Sequence, residues 1–179
     1  ADIPFIYFND IVFSVGEEFF LKPSPDLGHR AKYRERKCLR KADAIIYSSE
    51  FTKQRAISDY ELSETNIQVI EFGANIQTPE NIILNDYDKN ICRLVFVGRN
   101  WEKKGGPKVL DAYKLLKQQG FQCQLTIIGS KPMEPIEDKN VTIIPWLDKS
   151  KPEDINIYHD ILRNSHFLVL PTEFDAFGI

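Results

Sequence analysis

Short apolar runs alternating with amphipathic helical patterns predict an α/β protein with parallel sheets. The runs are Pro4–Phe8, Ala44–Tyr47, Ile67–Ile70, Arg93–Val97, Gln124–Ile128, Val141–Ile144 and Phe167–Leu170. Most are continuous rather than alternating, as strands covered on both faces require. Helical periodicity fills the intervals between them. At 179 residues, with 42% hydrophobic and 27% charged side chains, the chain is long enough and ordinary enough to bury a core.

Each element has a local justification. Pro4–Phe8 opens the chain as a strand, and the following Asn-Asp reads as a loop. Ser24 and Pro25 form an N-cap and first-position pair, after which Leu27, Ala31, Cys38, Leu39 and Ala42 trace a roughly helical stripe. The same helix carries Arg30, Lys32, Arg34, Arg36, Lys37, Arg40 and Lys41, spread over more than one side. Strands at Ala44–Tyr47 and Ile67–Ile70 follow. The stretch 72–90, rich in Asn and Asp and holding Pro79, breaks the alternation, and a domain boundary is expected there. A fresh strand–helix series starts at Ile91. Val109, Tyr113 and Leu116 recur at helical spacing until Gly120 stops them. Ser150 and Glu153 have the spacing of a capping box, and Ile155, Tyr158, Ile161 and Leu162 mark the apolar face behind it. The chain opens almost directly on a strand and closes at Ile179, in what reads as a strand-to-helix loop, so a fragment of something longer is expected.

Bulk properties exclude several classes. A net charge of −3 gives no basic signature for nucleic acid. Cys38, Cys92 and Cys123 form no CxxC pair and leave an odd count, which favours a reducing, cytoplasmic setting with buried thiols. No apolar stretch approaches the roughly 18–20 residues of a membrane span. The phosphate fingerprints GxGxxG and GxxxxGK[ST] are absent, as is the GxSxG elbow. His29, His159 and His166 lie far apart and offer no metal-ligand spacing; structural roles are expected for His159 and His166.

Ligands of open α/β sheets sit at the carboxyl ends of the strands. Three such ends stand out. Gly98 follows the Arg93–Val97 strand and permits close backbone approach, while Arg99 and Lys104 supply cations. Gly105 and Gly106 then open a helix whose free amides attract anions. Gly129 and Ser130 end the second strand. Leu170-Pro171-Thr172-Glu173-Phe174-Asp175-Ala176-Phe177-Gly178 ends the third and places two carboxylates beside the same cleft. Each feature has a plain structural reading as well: a surface Arg after a turn, a turn glycine, loop carboxylates capping a helix. It is their combination, cations after one strand and carboxylates after another, that points to a single crevice.

These segments resemble glycosyltransferase family 4. FVGRNWEKKGGPKVLDAYKLL is similar to the first strand–helix unit of that family's nucleotide-sugar domain, where a strand ends in Gly-Arg and Lys-Gly follows five residues after the Arg; Arg99 and Lys104-Gly105 keep that spacing. LVLPTEFDAFGI resembles the opening of the family's Glu-x7-Glu motif, with Asp175-Ala176-Phe177-Gly178 in its frame. ADAIIYSSEFTKQRAISDY, VIEFGANI and PFIYFNDIVFS resemble strands, a helix and an acidic loop of the acceptor domain. The resemblance covers most of the chain. It implies a GT-B fold of which this chain holds parts of two Rossmann-like parallel-sheet domains. Residues 1–77 would be the C-terminal part of the acceptor-binding domain, 78–90 the interdomain linker, and 91–179 the N-terminal part of the nucleotide-sugar-binding domain. Two departures stand out. The first acidic position is Asp175 where Glu is usual, one methylene shorter, and Glu173 is out of register by two. The second acidic residue would fall beyond Ile179.

The resemblance implies a retaining transfer of a sugar from a UDP- or GDP-sugar to a carbohydrate or lipid-linked acceptor, as in polysaccharide or glycolipid synthesis, without a metal or cofactor. Asp175, Arg99 and Lys104 would carry the chemistry. Arg99 and Lys104 would meet the charge growing on the diphosphate, where preorganised donors are worth about 3–4 kcal/mol each. Gly98, Gly105, Gly129, Glu173, Phe177 and Gly178 would line the donor site, with base contacts near Pro145–Leu147 and Ser130–Pro132. The basic helix would touch solvent, an anionic acceptor, or the inner face of a membrane peripherally. Two rivals stay open: a binding module for a nucleotide sugar or phosphate that no longer turns over, and an α/β domain in which Arg99 and Lys104 merely pair with Glu102 or Asp111.

Overall fold

In the computed structural model, residues 3–73, 75–76, 88 and 90–173 are described. They form two compact units, one within residues 1–75 and one spanning Ile76–Glu173.

The first unit runs β1 (Ile6–Asn9), α1 (Phe13–Phe19), α2 (Pro25–Lys41), β2 (Ala44–Tyr47), α3 (Glu50–Tyr60), a 3-10 turn (Glu64–Asn66) and β3 (Ile67–Val69). Its strands make a parallel sheet in the order β1-β2-β3. β1 begins two residues later than the apolar run, because Pro4 has no N–H and Phe5 is spent on the turn into β2. The Phe5 amide donates to Asp43 Oδ2 (2.7 Å) and its carbonyl accepts from Asp43 N–H (2.9 Å).

One sequence expectation fails in part in this unit, and helix α1 has no counterpart among the sequence-predicted elements. Its starting residue Phe13 has no side-chain cap, but its amide donates to Glu35 Oε2 at 2.9 Å. This is a tertiary cap that no local pattern shows. The expected stripe of α2 holds at Leu39 and Ala42, which are buried, but Leu27 and Cys38 are exposed and Gly28 faces inward instead. The inward face passes through Glu35, which a hydrophobic stripe would skip. The carboxylate is satisfied by Tyr7 Oη (2.9 Å), Tyr60 Oη and the Phe13 amide. A Cβ at Gly28 would displace the Glu17 carboxylate. Around this polar cluster lies an apolar core of Val12, Val15, Leu39, Ala42, Ile45, Ala56 and Ile67. Of the basic residues on α2, Lys32 pairs with Glu17, and Arg36 and Arg40 both reach Glu61 (3.5 Å each).

The second unit runs β4 (Cys92–Val97), α4 (Gly106–Gln118), β5 (Cys123–Ile128), β6 (Val141–Ile144), α5 (Pro152–Asn164) and β7 (Phe167–Leu168). All pairs are parallel, in the order β6-β5-β4-β7. Phe96, Val109, Tyr113, Leu125 and Ile127 are buried in its core. His166 has the structural role expected: its Nδ1 accepts from the Arg93 amide (3.0 Å) and its own amide donates to the Arg93 carbonyl (2.8 Å), fastening β7 to β4. The capping box of α5 does not form. Lys151 is the N-cap, and Ser150 instead donates to Asp148 Oδ1 (2.7 Å). Asp154 turns back to accept from the Asp148 amide (2.8 Å), so the helix start is tied by a different acid than Glu153. Among the described residues, no helix is long and apolar enough to cross a membrane.

Candidate functional site

Three strand ends of the second unit meet at the start of α4. Gly98 and Gly129 each extend the ladder one residue past the strand: Gly98 N–H donates to the Ile128 carbonyl and Gly129 N–H to the Ile144 carbonyl, both at 2.9 Å. Gly129 adopts φ +85°, and a Cβ there would press on the Gly98 carbonyl at 3.3 Å. Lys104 packs its aliphatic stem over Gly98, where a Cβ would lie 3.1 Å from Lys104 Cβ and Cγ. Gly98, Gly129 and Lys104 are thus neighbours.

The third strand end joins them through backbone contacts. Gly105 takes φ +78° as the N-cap of α4, and any side chain there would overlap the Pro171 carbonyl. Thr172 Oγ1 and the Glu173 amide both donate to the Lys103 carbonyl, at 3.3 and 3.4 Å. The loop between β4 and α4 is plugged by Trp101, which stacks edge-on against Phe96 (5.2 Å between centroids, 72°) and fills the space that a side chain at Gly106 would need. Asn100 completes the turn by accepting from the Lys103 amide (3.0 Å). No local pattern marks Pro171 as an anchor, because its contact with Gly105 joins segments distant in the chain, and Trp101 shows its role only once the loop folds it back onto Phe96 and Gly106.

Arg99 lies elsewhere on this rim. Its guanidinium stacks on the Trp146 ring, 5.2 Å from the centroid, just beyond β6. With β5 between β4 and β6, the side chain reaches across the carboxyl end of β5. Trp146 is 59% exposed, and Arg99 has no carboxylate partner among the described residues, including Glu102 and Asp111. Ser130, next to Gly129, is only 7% exposed, and its hydroxyl has no hydrogen-bond partner among the described residues. A buried hydroxyl without a partner costs about 1–3 kcal/mol, so a polar ligand atom at this strand end would recover that penalty.

The anion-binding expectation at the α4 terminus needs correction. Gly106 N–H already donates to the Trp101 carbonyl (2.8 Å), and Pro107 has no N–H. At most one first-turn amide, that of Lys108, is left for a ligand. The cationic side chains and the strand-end glycines therefore matter more here than the helix terminus. Asp175, Phe177 and Gly178 lie outside the described residues, as does most of the expected linker. Among the described residues, no three His, Cys, Asp or Glu side chains gather as a metal-binding group.

A groove of about 470 Å³ lies beside α4 and is lined by Glu102, Asp111, Glu134 and Glu137 among others. Its acidic lining repels a phosphate, whereas the strand ends carry the cations. Near that groove, Asp138 accepts from Lys117 Nζ (2.6 Å) and Tyr113 Oη (2.9 Å). Lys117, followed by the Asn140 amide and Tyr113, holds the Asp138 carboxyl down at about 2.

The second unit gathers glycine strand ends, cations and an orphan hydroxyl at the carboxyl ends of a parallel α/β sheet, where ligands of open α/β sheets sit. No protein-family model matches the chain. It is 26% identical over 157 residues to the capsular polysaccharide biosynthesis glycosyltransferase CapM of Staphylococcus aureus, covering 76% of this chain and 39% of CapM. Its fold matches the apo form of the lipopolysaccharide outer core galactosyltransferase WaaB with a TM-score of 0.53 and 22% identity, over 79% of this chain and 40% of WaaB. The architecture is therefore mixed α/β with parallel sheets, matching part of the GT-B glycosyltransferase fold. The chain spans about two-fifths of the length of each protein it matches.

Proposed function

We propose that the protein containing this chain is a glycosyltransferase that moves a sugar from a nucleoside diphosphate donor to an acceptor hydroxyl in polysaccharide or lipopolysaccharide-type synthesis, with retention at the anomeric carbon. The observation that carries this reading is the meeting of the β4, β5 and β7 ends, where Gly98, Lys104, Gly105, Gly129 and the orphan Ser130 hydroxyl come together. The likeness to CapM and WaaB, both glycosyltransferases by name, supports it.

In this reading Lys104 meets the diphosphate over Gly98, and Arg99 meets its far side or the nucleoside from its perch on Trp146. The glycosidic bond breaks as negative charge grows on the leaving diphosphate, and fixed cations lower that barrier without reorganising. Asp175 and Glu173 would orient the sugar through its hydroxyls. The first unit would supply the acceptor side. The outer face of α2, with Arg34, Lys37 and Lys41 projecting to solvent, would face an anionic, lipid-linked acceptor at a membrane surface in the cytoplasm.

Calorimetry with UDP- and GDP-linked sugars tests the reading. The intact protein is expected to bind one of them, and Arg99→Ala to weaken that binding by about tenfold or more, the worth of a charge-assisted hydrogen bond. No donor binding would overturn the proposal. Binding without transfer from a labelled donor would leave a binding module in its place.

A further inference from the structure

The amino-terminal ends of β4 and β5 carry a feature that sugar transfer does not use. Cys92 and Cys123 are the in-register partners that open the two strands. In-register residues of parallel neighbours leave the sheet on the same face, with backbones about 4.8 Å apart. That face is the one α4 covers: Cys123 belongs to the core with Val109 and Tyr113, and Cys92 packs against it. Strand spacing of this size falls within the Cα separations that disulfides bridge, about 4.4–6.8 Å. Cys123 is buried and Cys92 half-buried, so a small reagent meets Cys92 first. The third thiol, Cys38, is exposed in the other unit.

We propose that Cys92 and Cys123 form a dithiol modification site, which a two-electron oxidant of the peroxide or small-disulfide class converts to a cross-strand disulfide. With a peroxide, the Cys92 sulfur attacks one peroxide oxygen. The O–O bond breaks, and the departing hydroxide leaves as water with the Cys92 proton, making a sulfenic acid. The Cys123 sulfur then attacks the Cys92 sulfur, and the hydroxyl departs as a second water with the Cys123 proton. Two thiols are oxidised to one disulfide, and one peroxide is reduced to two waters. Burial pushes the Cys123 thiol up, consistent with Cys92 as the entry point and Cys123 as the slower resolving partner. The site sits at the opposite end of β4 and β5 from Gly98 and Gly129, so the inference stands apart from the donor reading.

The test uses the chain with Cys38→Ser, treated with hydrogen peroxide or with oxidised glutathione. Peptide mapping without reductant is expected to recover a Cys92–Cys123 linked pair. Both remaining thiols should disappear together in a denatured titration and return with dithiothreitol. The denaturant midpoint of the oxidised form should rise, because the link restricts the unfolded chain. In Cys123→Ala, Cys92 should instead stop at a sulfenic acid that dimedone traps. The proposal is overturned if Cys92 accumulates as sulfinic acid or a glutathione adduct while Cys123 still titrates as a free thiol. That measurement needs no variant at position 123.

Discussion

The two units end their strands in opposite ways. In the first, the loops after β1 and β2 tie one another down. Ser49 Oγ accepts from the Thr52 amide (3.2 Å) as the N-cap of α3, and the Thr52 hydroxyl donates to the Asp10 carbonyl (2.8 Å). In the second, β4 and β5 end in glycines, and the nearby polar groups are side chains reaching outward. Both units bury one serine hydroxyl without a partner among the described residues, Ser48 after β2 and Ser130 after β5. The comparison teaches that an orphan hydroxyl is not a site by itself. At Ser130 it comes with two glycine strand ends and a lysine stem laid over one of them, so backbone and cation can approach the same ligand. The interiors differ too. The first unit organises Tyr7 and Tyr60 around Glu35, whereas the core cluster of the second is apolar apart from the Tyr113 hydroxyl, which bonds to Asp138, and Ser130 lies at the strand end outside that cluster.

The largest expected effect comes from the closed packing at the start of α4. Gly105→Ala combines a left-handed backbone with overlap on the Pro171 carbonyl and should cost about 2–4 kcal/mol. Gly120→Ala, also at positive φ but facing open space, should cost only about 1–2 kcal/mol. Urea denaturation of both variants checks this. Equal costs would mean that the β7 end does not press on α4 as described.

Alkali should distinguish the units next. Burial, foremost, raises the Tyr7 hydroxyl to about 12 and moves Tyr47 and Tyr60 higher still. A group whose folded value is raised lends stability below its unfolded value, near 10, and loses it as pH climbs through the folded one. The first unit should therefore loosen between about pH 10 and 12. Tyrosinate absorbance and amide exchange should rise together there, earlier in residues 3–73 than in 90–173. Simultaneous loss in both units would remove the contrast.

A smaller effect lies at the acid end, in the second unit. The Asp138 carboxyl, held at about 2 by Lys117, lends stability above its unfolded value near 4 and loses it as pH falls toward 2. Asp138→Asn should flatten that limb of a stability–pH curve; an unchanged curve would show that the Lys117 pairing does not act on folding. The smallest change expected is in Trp146→Ala. An exposed cation–π contact is worth about 0.5–1 kcal/mol, so stability should barely move, while donor affinity falls if Arg99 needs its perch.

Much of this architecture could be read before any coordinates. Runs such as Ala44–Tyr47 and Val141–Ile144 match their strands residue for residue, because a continuous apolar run between turn residues has few other uses. Gly98, Lys104, Gly105, Gly129 and Glu173 could be assigned to strand ends, since the residue after a strand is a local property. The inward face of α2 was partly misread because it runs through Glu35, whose partners Tyr7 and Tyr60 come from far along the chain. Cys38 was expected to be buried and is exposed for the same reason: the helix turned to bring Glu35 inward.

The amino-acid order alone fixed what depends on near neighbours, namely the strand runs, the glycine positions, the parallel α/β character and the charges placed after β4. Side-by-side strand pairing and helix packing settled the rest: Arg99 across β5 onto Trp146, Pro171 against Gly105, Cys92 beside Cys123. Periodicity and backbone sterics act over a few residues and leave a local trace, whereas a contact between distant segments exists only after the chain has closed on itself and leaves no mark in either segment.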